Sequence, residues 1–363
     1  MELRTEILKI IEAGLEKNSE KVKKYAELLS EKLIKEGEAK YSKRILNILD
    51  QKYLINTVQF DEFILKPKDE DSKLEMVDVY LKPQKPNLYL SQRVEEEVDD
   101  YIKLLQNKSL LISHGLELPS SLLLYGLPGT GKTSLAYYIA NKLELPLVVA
   151  RLDGLVSSLL GNTSKNIRKI FDYAKDRPCV LFLDEFDAIA KARDDSQEVG
   201  ELKRVVNTLL QNIDSFTEGN NILIAATNHE KLLDPAIWRR FSSKIEIEYP
   251  EKENILKLIN SLIKELKIKL DIEDKNLENI AKLFEGISAA EIKIVLQNVL
   301  KKAIINQKNK IGRIEILEQI YTTKKSEMNK YKFLYENGVT KKDIINYYSM
   351  SVRQVNNLLR GEE

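Results

Sequence analysis

The sequence predicts an α/β protein: a parallel sheet with crossover helices, then an α-helical lid, with helical appendages at both ends. Three patterns carry this expectation. Between residues 93 and 250, short β-rich apolar runs alternate with helical stretches. A glycine-rich segment joins one of those runs directly to a helix, and apolar residues recur at helical spacing through both flanks.

Residues 1–54 place Leu3, Ile7, Ile10 and Ile11, then Val22, Ala26, Leu29 and Leu33, then Ile45, Ile48 and Leu49 on helical faces. Breaks near Asn18 and Gly37 divide them into a three-helix bundle. Pro67, Pro83 and Pro86 and the charge run "KPKDEDSK" make residues 55–92 a mostly extended linker. Residues 93–250 carry the strand-like runs "LPLVVARL", "CVLFLDEF", "NILIAATN" and "SKIEIEY", which form the parallel sheet. Residues 251–325, with "ENILKLINSLIKEL" and "SAAEIKIVLQNVLKKAII", form the helical lid, and residues 326–363 a short, separate helical tail. No internal repeat is present.

Composition narrows the function classes. With 363 residues, 43% of them apolar, the chain can bury a core in two or three domains. Its 57 Lys and Arg nearly cancel its 56 Asp and Glu, so any contact with nucleic acid or membrane must be local. The single cysteine, Cys179, excludes an intramolecular disulfide framework, fits a reducing compartment and reads as a small buried hydrophobe. Charges interrupt the apolar residues of the N-terminus and no apolar run has spanning length, so a cytoplasmic protein without a membrane partner is expected. His114 and His229 lack metal-ligand spacing.

"GLPGTGKT" satisfies G-x-x-x-x-G-K-[ST], directly after the strand-like "SLLLY" and directly before the helical "SLAYYIANKL". Gly126, Leu127, Pro128, Gly129, Thr130, Gly131, Lys132, Thr133 and Ser134 are thus expected to cradle a polyphosphate, with backbone N–H groups turned inward and the helix dipole aimed at the anion. Lys132 is expected to reach the β and γ phosphates, and the Thr133 hydroxyl to ligate Mg²⁺. In "CVLFLDEFDAIA", Asp184 and Glu185 follow four apolar residues at the carboxyl end of a strand, where open α/β sheets bind ligands. Asp184 suits a Mg²⁺ held through water, and Glu185 suits the polarisation of an attacking water. The cofactors expected are ATP and Mg²⁺.

With "NILIAATNH" and "LLDPAIWRRFSSKIEIEYP" added, the chain resembles the AAA ATPase family, over roughly Val94 to Ile320. The resemblance implies that Asn228 helps to orient the attacking water. It also implies that Arg239 and Arg240 are fingers inserted into the neighbouring subunit's nucleotide site, an adjacent pair as in the katanin and spastin group. "GISAAEI" resembles the lid segment in which small residues, here Gly286 and Ala289, approach the adenine and ribose. The same stretch reads equally as a capped helix start, with Ser288 as cap and Glu291 at the capping-box position. "LDGLVSSLLGNTSKNIRKIFDYAK" resembles the pore-loop segment, with Leu159-Leu160-Gly161 replacing the usual aromatic, hydrophobic, glycine triplet. "KARDDSQEVGELKRVV", from Lys191, takes the place of a second pore loop. A ring of identical chains, a hexamer, follows from the same resemblance.

"GVTKKDIINYYSMSVRQVNNLLRG" matches helix-turn-helix spacing: Thr340 and Ser351 as caps, Ile344, Val355 and Leu358 inward, and Ser349 where a turn glycine is usual. Arg353, Gln354, Asn356, Asn357 and Arg360 would lie outward, types that contact base edges or phosphates. Three functions therefore stand. The leading one is a Mg-dependent oligomeric ATPase that remodels or threads a protein substrate. The alternatives are a DNA-associated ATPase switch addressed by the tail, and an ATP-timed regulator of a partner enzyme.

Overall fold

A computed structural model of the chain describes residues 3–15, 19–35, 73–152, 160–188, 199–218, 221–266, 269–324 and 328–360, with isolated positions between 38 and 69. The chain divides into two compact units, residues 1–66 and 67–363. In the first, helices α1 (Leu3–Leu15) and α2 (Ser19–Lys35) bury Ala13, Ala26 and Leu29. Lys32 Nζ donates to Glu6 Oε1 at 2.9 Å, and this bond holds the Glu6 carboxyl below its usual range. Most of the expected third helix, residues 46–54, lies outside the described residues.

The second unit is mixed α/β. Its sheet contains β1 (Val77–Tyr80), β2 (Ser121–Tyr125), β3 (Leu147–Ala150), β4 (Val180–Leu183), β5 (Ile222–Thr227) and β6 (Ser243–Glu246). They lie in the order β1-β3-β4-β5-β2-β6, parallel except for β1. β4 is buried at all four positions, as a central parallel strand covered on both faces must be, and so it reads as a continuous apolar run. Covering helices are α3 (Gln92–Gln106), α4 (Lys108–Ser113), α5 (Lys132–Lys142), α6 (Leu160–Lys175) and α7 (Val199–Glu218). Cys179, just before β4, is buried, and desolvation pushes its thiol up to about 12. It is an inert core residue, as expected.

The region expected to be a mostly extended linker also contributes a strand to the sheet. Four of its residues form β1, which pairs antiparallel with β3 from Val77 opposite Ala150 to Tyr80 opposite Leu147. Arg151, just beyond β3, donates to both carboxylate oxygens of Asp78 at 2.8 Å.

After the short helix α8 (Pro235–Trp238), the lid comprises α9 (Lys252–Leu266), α10 (Asp274–Leu283), α11 (Ala289–Ile305) and α12 (Arg313–Lys324). The tail forms α13 (Lys330–Glu336), α14 (Lys341–Tyr348) and α15 (Val352–Arg360). It is not separate. Phe333, Leu334, Val339, Ile344 and Val355 belong to the same hydrophobic core as Leu317 and Ile320 of α12. Arg313 fixes the junction: its guanidinium donates to Asn276 Oδ1 at 2.8 Å, to the Gly338 carbonyl at 3.0 Å and to the Asn337 carbonyl. Among the described residues no helix is long and apolar enough to cross a membrane.

Gly126, at the end of β2, has φ 138°, and a Cβ there would sit 2.3 Å from the Ile247 carbonyl oxygen. Both the backbone angle and the backbone neighbour resist adjustment. Gly126→Ala is therefore expected to destabilise the fold by about 2–4 kcal/mol in denaturant titrations.

Candidate functional site

β2 ends at Tyr125 and α5 begins at Lys132, so six residues must turn the chain at the carboxyl edge of the sheet. Gly129 and Gly131 do so with φ of 75° and 107°. A Cβ at Gly131 would have nothing within 4 Å, so the concave side of this turn is open to a ligand. Thr130 Oγ1 closes the turn on the Leu127 carbonyl at 2.9 Å.

Lys132 is only 6% exposed. Its Nζ arches over the loop and donates to the carbonyls of Gly126 at 2.8 Å and Leu127 at 2.7 Å. Desolvation lowers its pKa to about 8, against the opposing pull of Asp184, Asp187 and Glu230. A bound polyphosphate favours the charged form, so above pH 8 binding must draw a proton to this side chain. Calorimetry in buffers of different ionisation enthalpy is expected to record uptake approaching one proton at about pH 9 and little at about pH 6.5. Lys132→Met is expected to remove the difference along with most of the affinity.

Thr133, in the first turn of α5, donates through Oγ1 to Asp184 Oδ2 at 2.8 Å. The fold thus joins a hydroxyl and a carboxylate 51 residues apart in sequence. These are hard oxygen donors of the kind that hold Mg²⁺ beside substrate phosphates, and the pair fits that ion. Asp184 Oδ1 accepts from the Glu185 N–H at 2.9 Å. Glu185 then adopts φ 51°, a left-handed angle unusual for a non-glycine residue, while Phe186 N–H donates to the Ala226 carbonyl at 2.8 Å. The turn leaves Asp184 half-buried and Glu185 exposed, so the adjacent carboxylates serve different directions.

β5, the strand next to β4, ends at Thr227, and Asn228 follows it. The Asn228 N–H donates to Asp187 Oδ1 at 3.4 Å, and His229 N–H donates to Thr227 Oγ1 at 3.0 Å. From the lid, Ser288 caps α11 in a full capping box with Glu291. The Ala290 N–H donates to the Gly129 carbonyl at 3.2 Å, so the lid helix touches the glycine loop itself. Of the two readings of "GISAAEI", the capped helix start is present, with Ser288 as cap; Ala289 lines the cleft, and Gly286 supplies the left-handed turn, φ 76°, that precedes the helix. A Cβ on Gly129 would meet Ser288 Oγ at 2.8 Å, so Gly129→Ala is expected to push the lid away and weaken nucleotide affinity about tenfold or more in equilibrium binding.

These groups share one cavity of about 630 Å³, lined by residues 128–134, Asp184, Glu185, Asn228, Ala289 and, at its apolar end, Leu258. The size suits a nucleotide. The expected finger residues stand elsewhere. Arg240 Nε lies 3.2 Å from Asp214 Oδ1 within the same chain, and the exposed Arg239 makes no ion pair among the described residues. Residues 153–159 and 189–198, which hold Leu159 of the first expected pore loop and the first half of the second, lie outside the described residues. Leu160 and Gly161 open α6.

Two parts of the site were not anticipated. Residues 86–90, assigned to the linker, line the apolar end of the cavity; a signal was available in the apolar pair Leu88 and Leu90 just before the Ser91 cap of α3. Asp187, 3% exposed, braces the Asn228 backbone and lies 3.8 Å from His229 Nε2. Its signal was the spacing of three from Asp184 across a turn.

Residues 122–249 match the model of the ATPase family associated with various cellular activities (AAA). An uncharacterised AAA family ATPase of Sinorhizobium fredii is 45% identical over 198 residues, covering 54% of this chain and 58% of that one. The proteasome-activating nucleotidase of Saccharolobus solfataricus is 32% identical over 266 residues, covering 70% of this chain and 66% of that one. The chain thus spans less than two thirds of these curated relatives. Two crystal structures of the FIGL-1 AAA domain, one in complex with ADP, superpose with TM-scores of 0.58 and 0.57 at 21% identity, covering 71% and 70% of this chain and 90% of each domain. They share its fold.

Proposed function

We propose, on the premise that this chain belongs to the AAA ATPase family through its domain at residues 122–249, that it hydrolyses ATP with Mg²⁺ as a ring oligomer and uses the cycle to remodel or thread a protein substrate in the cytoplasm. One observation carries the chemistry: Thr133 meets Asp184 at the mouth of the glycine loop, and Glu185 and Asn228 line the same cavity. Thr133 and Asp184 would hold a bound Mg²⁺, which would supply positive charge to the phosphates. Lys132, released from the two loop carbonyls it now contacts, neutralises phosphate charge. Glu185 accepts a proton from the attacking water, and Asn228, braced by Asp187, orients that water.

The charge that develops on the γ-phosphate needs a further cation, and Lys132 is the one cavity lysine seated on the loop. Arg239 supports a finger acting across a subunit boundary, since it is exposed and makes no ion pair among the described residues. Arg240 then holds the finger's base to α7 through Asp214. A hexameric ring and a protein substrate follow the family and the name of the proteasome-activating relatives. The test is ATP turnover of the full chain with an unfolded protein, with duplex DNA and with neither. Several-fold stimulation by the unfolded protein alone supports remodelling. Stimulation by DNA alone contradicts it.

A further inference from the structure

We propose that the basic outer face of α15 is a docking surface for duplex DNA, presented by the lid as a rigid extension. The proposal is independent of the protein-remodelling reading. Three observations on the tail carry it.

The first is a complete helix-turn-helix. Thr340 caps α14 in a capping box with Asp343, and Ser349 takes the left-handed conformation, φ 54° and ψ 41°, that ends it without a glycine. Ser351 Oγ then accepts from the Gln354 N–H at 3.3 Å and starts α15. Ile344 and Val355, 0% and 1% exposed, pin the two helices into the core.

The second is charge. Residues 326–363 hold six Lys and Arg against five Asp and Glu, but from Lys341 to Arg360 four basic residues face one acidic residue, Asp343. α15 contains no acidic residue. Asp343 is occupied by Thr340, which donates to it from both its N–H and its hydroxyl. Among the described residues, Glu336 is the one carboxylate lining the groove that Lys332, Tyr335, Lys341 and Arg360 share between α13 and α15.

The third is the face itself. Arg353, Asn357 and Arg360 fall at i, i+4 and i+7, one stripe of the helix, with Gln354 and the 62% exposed Val352 at its start. Gln354 Oε1 is held by the Ser351 N–H and hydroxyl, so the readers on this stripe are arginine and asparagine, which contact base edges or phosphates, and an exposed valine that can meet a thymine methyl. A protein interface would put aromatic side chains at its centre and few charges; this stripe has charged ends and no ring. An α-helix fits the B-form major groove, which is about 12 Å wide. The surface is also firmly held. Arg313 and Glu318 of α12 bond the tail at Asn337, Gly338, Lys330 and Tyr348, so the stripe keeps a fixed orientation on the lid.

The test is fluorescence anisotropy of the full chain with a labelled duplex of about 20 bp, a matching single strand and a matching RNA duplex, at about 50 and 200 mM salt. Duplex DNA is expected to bind best, and more weakly at the higher salt. Arg353→Ala with Arg360→Ala is expected to lose about tenfold in affinity and to lower the salt slope by about two. Arg353→Lys with Arg360→Lys is expected to retain most of the binding, which separates lost charge from lost fold, and thermal melts of all variants should superimpose. Lys103→Ala with Lys269→Ala is expected to change nothing. Absence of duplex binding at low salt, undiminished binding in the double alanine variant, or equal or tighter binding of either the single strand or the RNA duplex overturns the proposal.

Discussion

Glu185→Gln is expected to bind ATP as tightly as the parent and to release phosphate at least a hundredfold more slowly. The amide is isosteric, so the left-handed backbone at φ 51° and the hydrogen bond from the residue 185 N–H to Asp184 are kept. What is lost is the acceptor for a proton of the attacking water, and a positioned general base contributes about 10²–10⁴ in rate. Thr133, Asp184 and Lys132 remain to hold the nucleotide and its metal. A fluorescent ATP titration beside a phosphate-release assay separates the two effects. Turnover near the parental rate would remove Glu185 from its role; lost binding would reassign it to the nucleotide cradle.

The second large effect concerns the arginine pair, whose members differ in this structure. Arg239→Ala is expected to leave folding stability unchanged and to lower turnover about 10³-fold, the scale of an arginine finger. Lys132, already neutralising phosphate charge in the proposed cycle, does not replace the charge of Arg239. Arg240→Ala breaks an ion pair whose members are 35% and 46% exposed, worth about 0.5 kcal/mol, and frees the segment that carries Arg239. Its turnover is expected to fall less, and Arg240→Lys should recover part of it through Asp214. Equal kinetic losses in both alanine variants, with equal stability, would assign both side chains to the finger.

Much of the site was legible because its signals are local. The glycines of residues 126–131 and the carboxylates after β4 lie within short segments whose apolar flanks declare strand and helix. β1 was not legible: four residues hemmed by prolines show too little alternation to mark a strand, and only pairing with β3 makes one. Residues 86–90 gain their role from α9 and the glycine loop, which are remote in sequence. The two short helices α14 and α15 and the turn between them were legible because capping and turn chemistry are local. The tail's union with the lid depends on Leu334, Ile344 and Val355 meeting Leu317 and Ile320, and on Arg313 reaching Asn337 and Gly338. Such long-range packing leaves no periodic trace. The difference between Arg239 and Arg240 likewise rests on Asp214, 26 residues before Arg240, and adjacency in sequence conceals it.

In the function proposed above, a neighbouring subunit completes each ATPase site. This completion is tested most directly by mixing Arg239→Ala and Glu185→Gln chains and measuring phosphate release. Each variant alone lacks one half of every site. In an equal, random mixture, about a quarter of interfaces pair a chain that keeps Glu185 with a neighbour that keeps Arg239. Turnover is predicted to rise toward about a quarter of the parental rate, far above the sum of the separate variants. Turnover no greater than that sum, in mixtures shown to contain mixed oligomers, would contradict it.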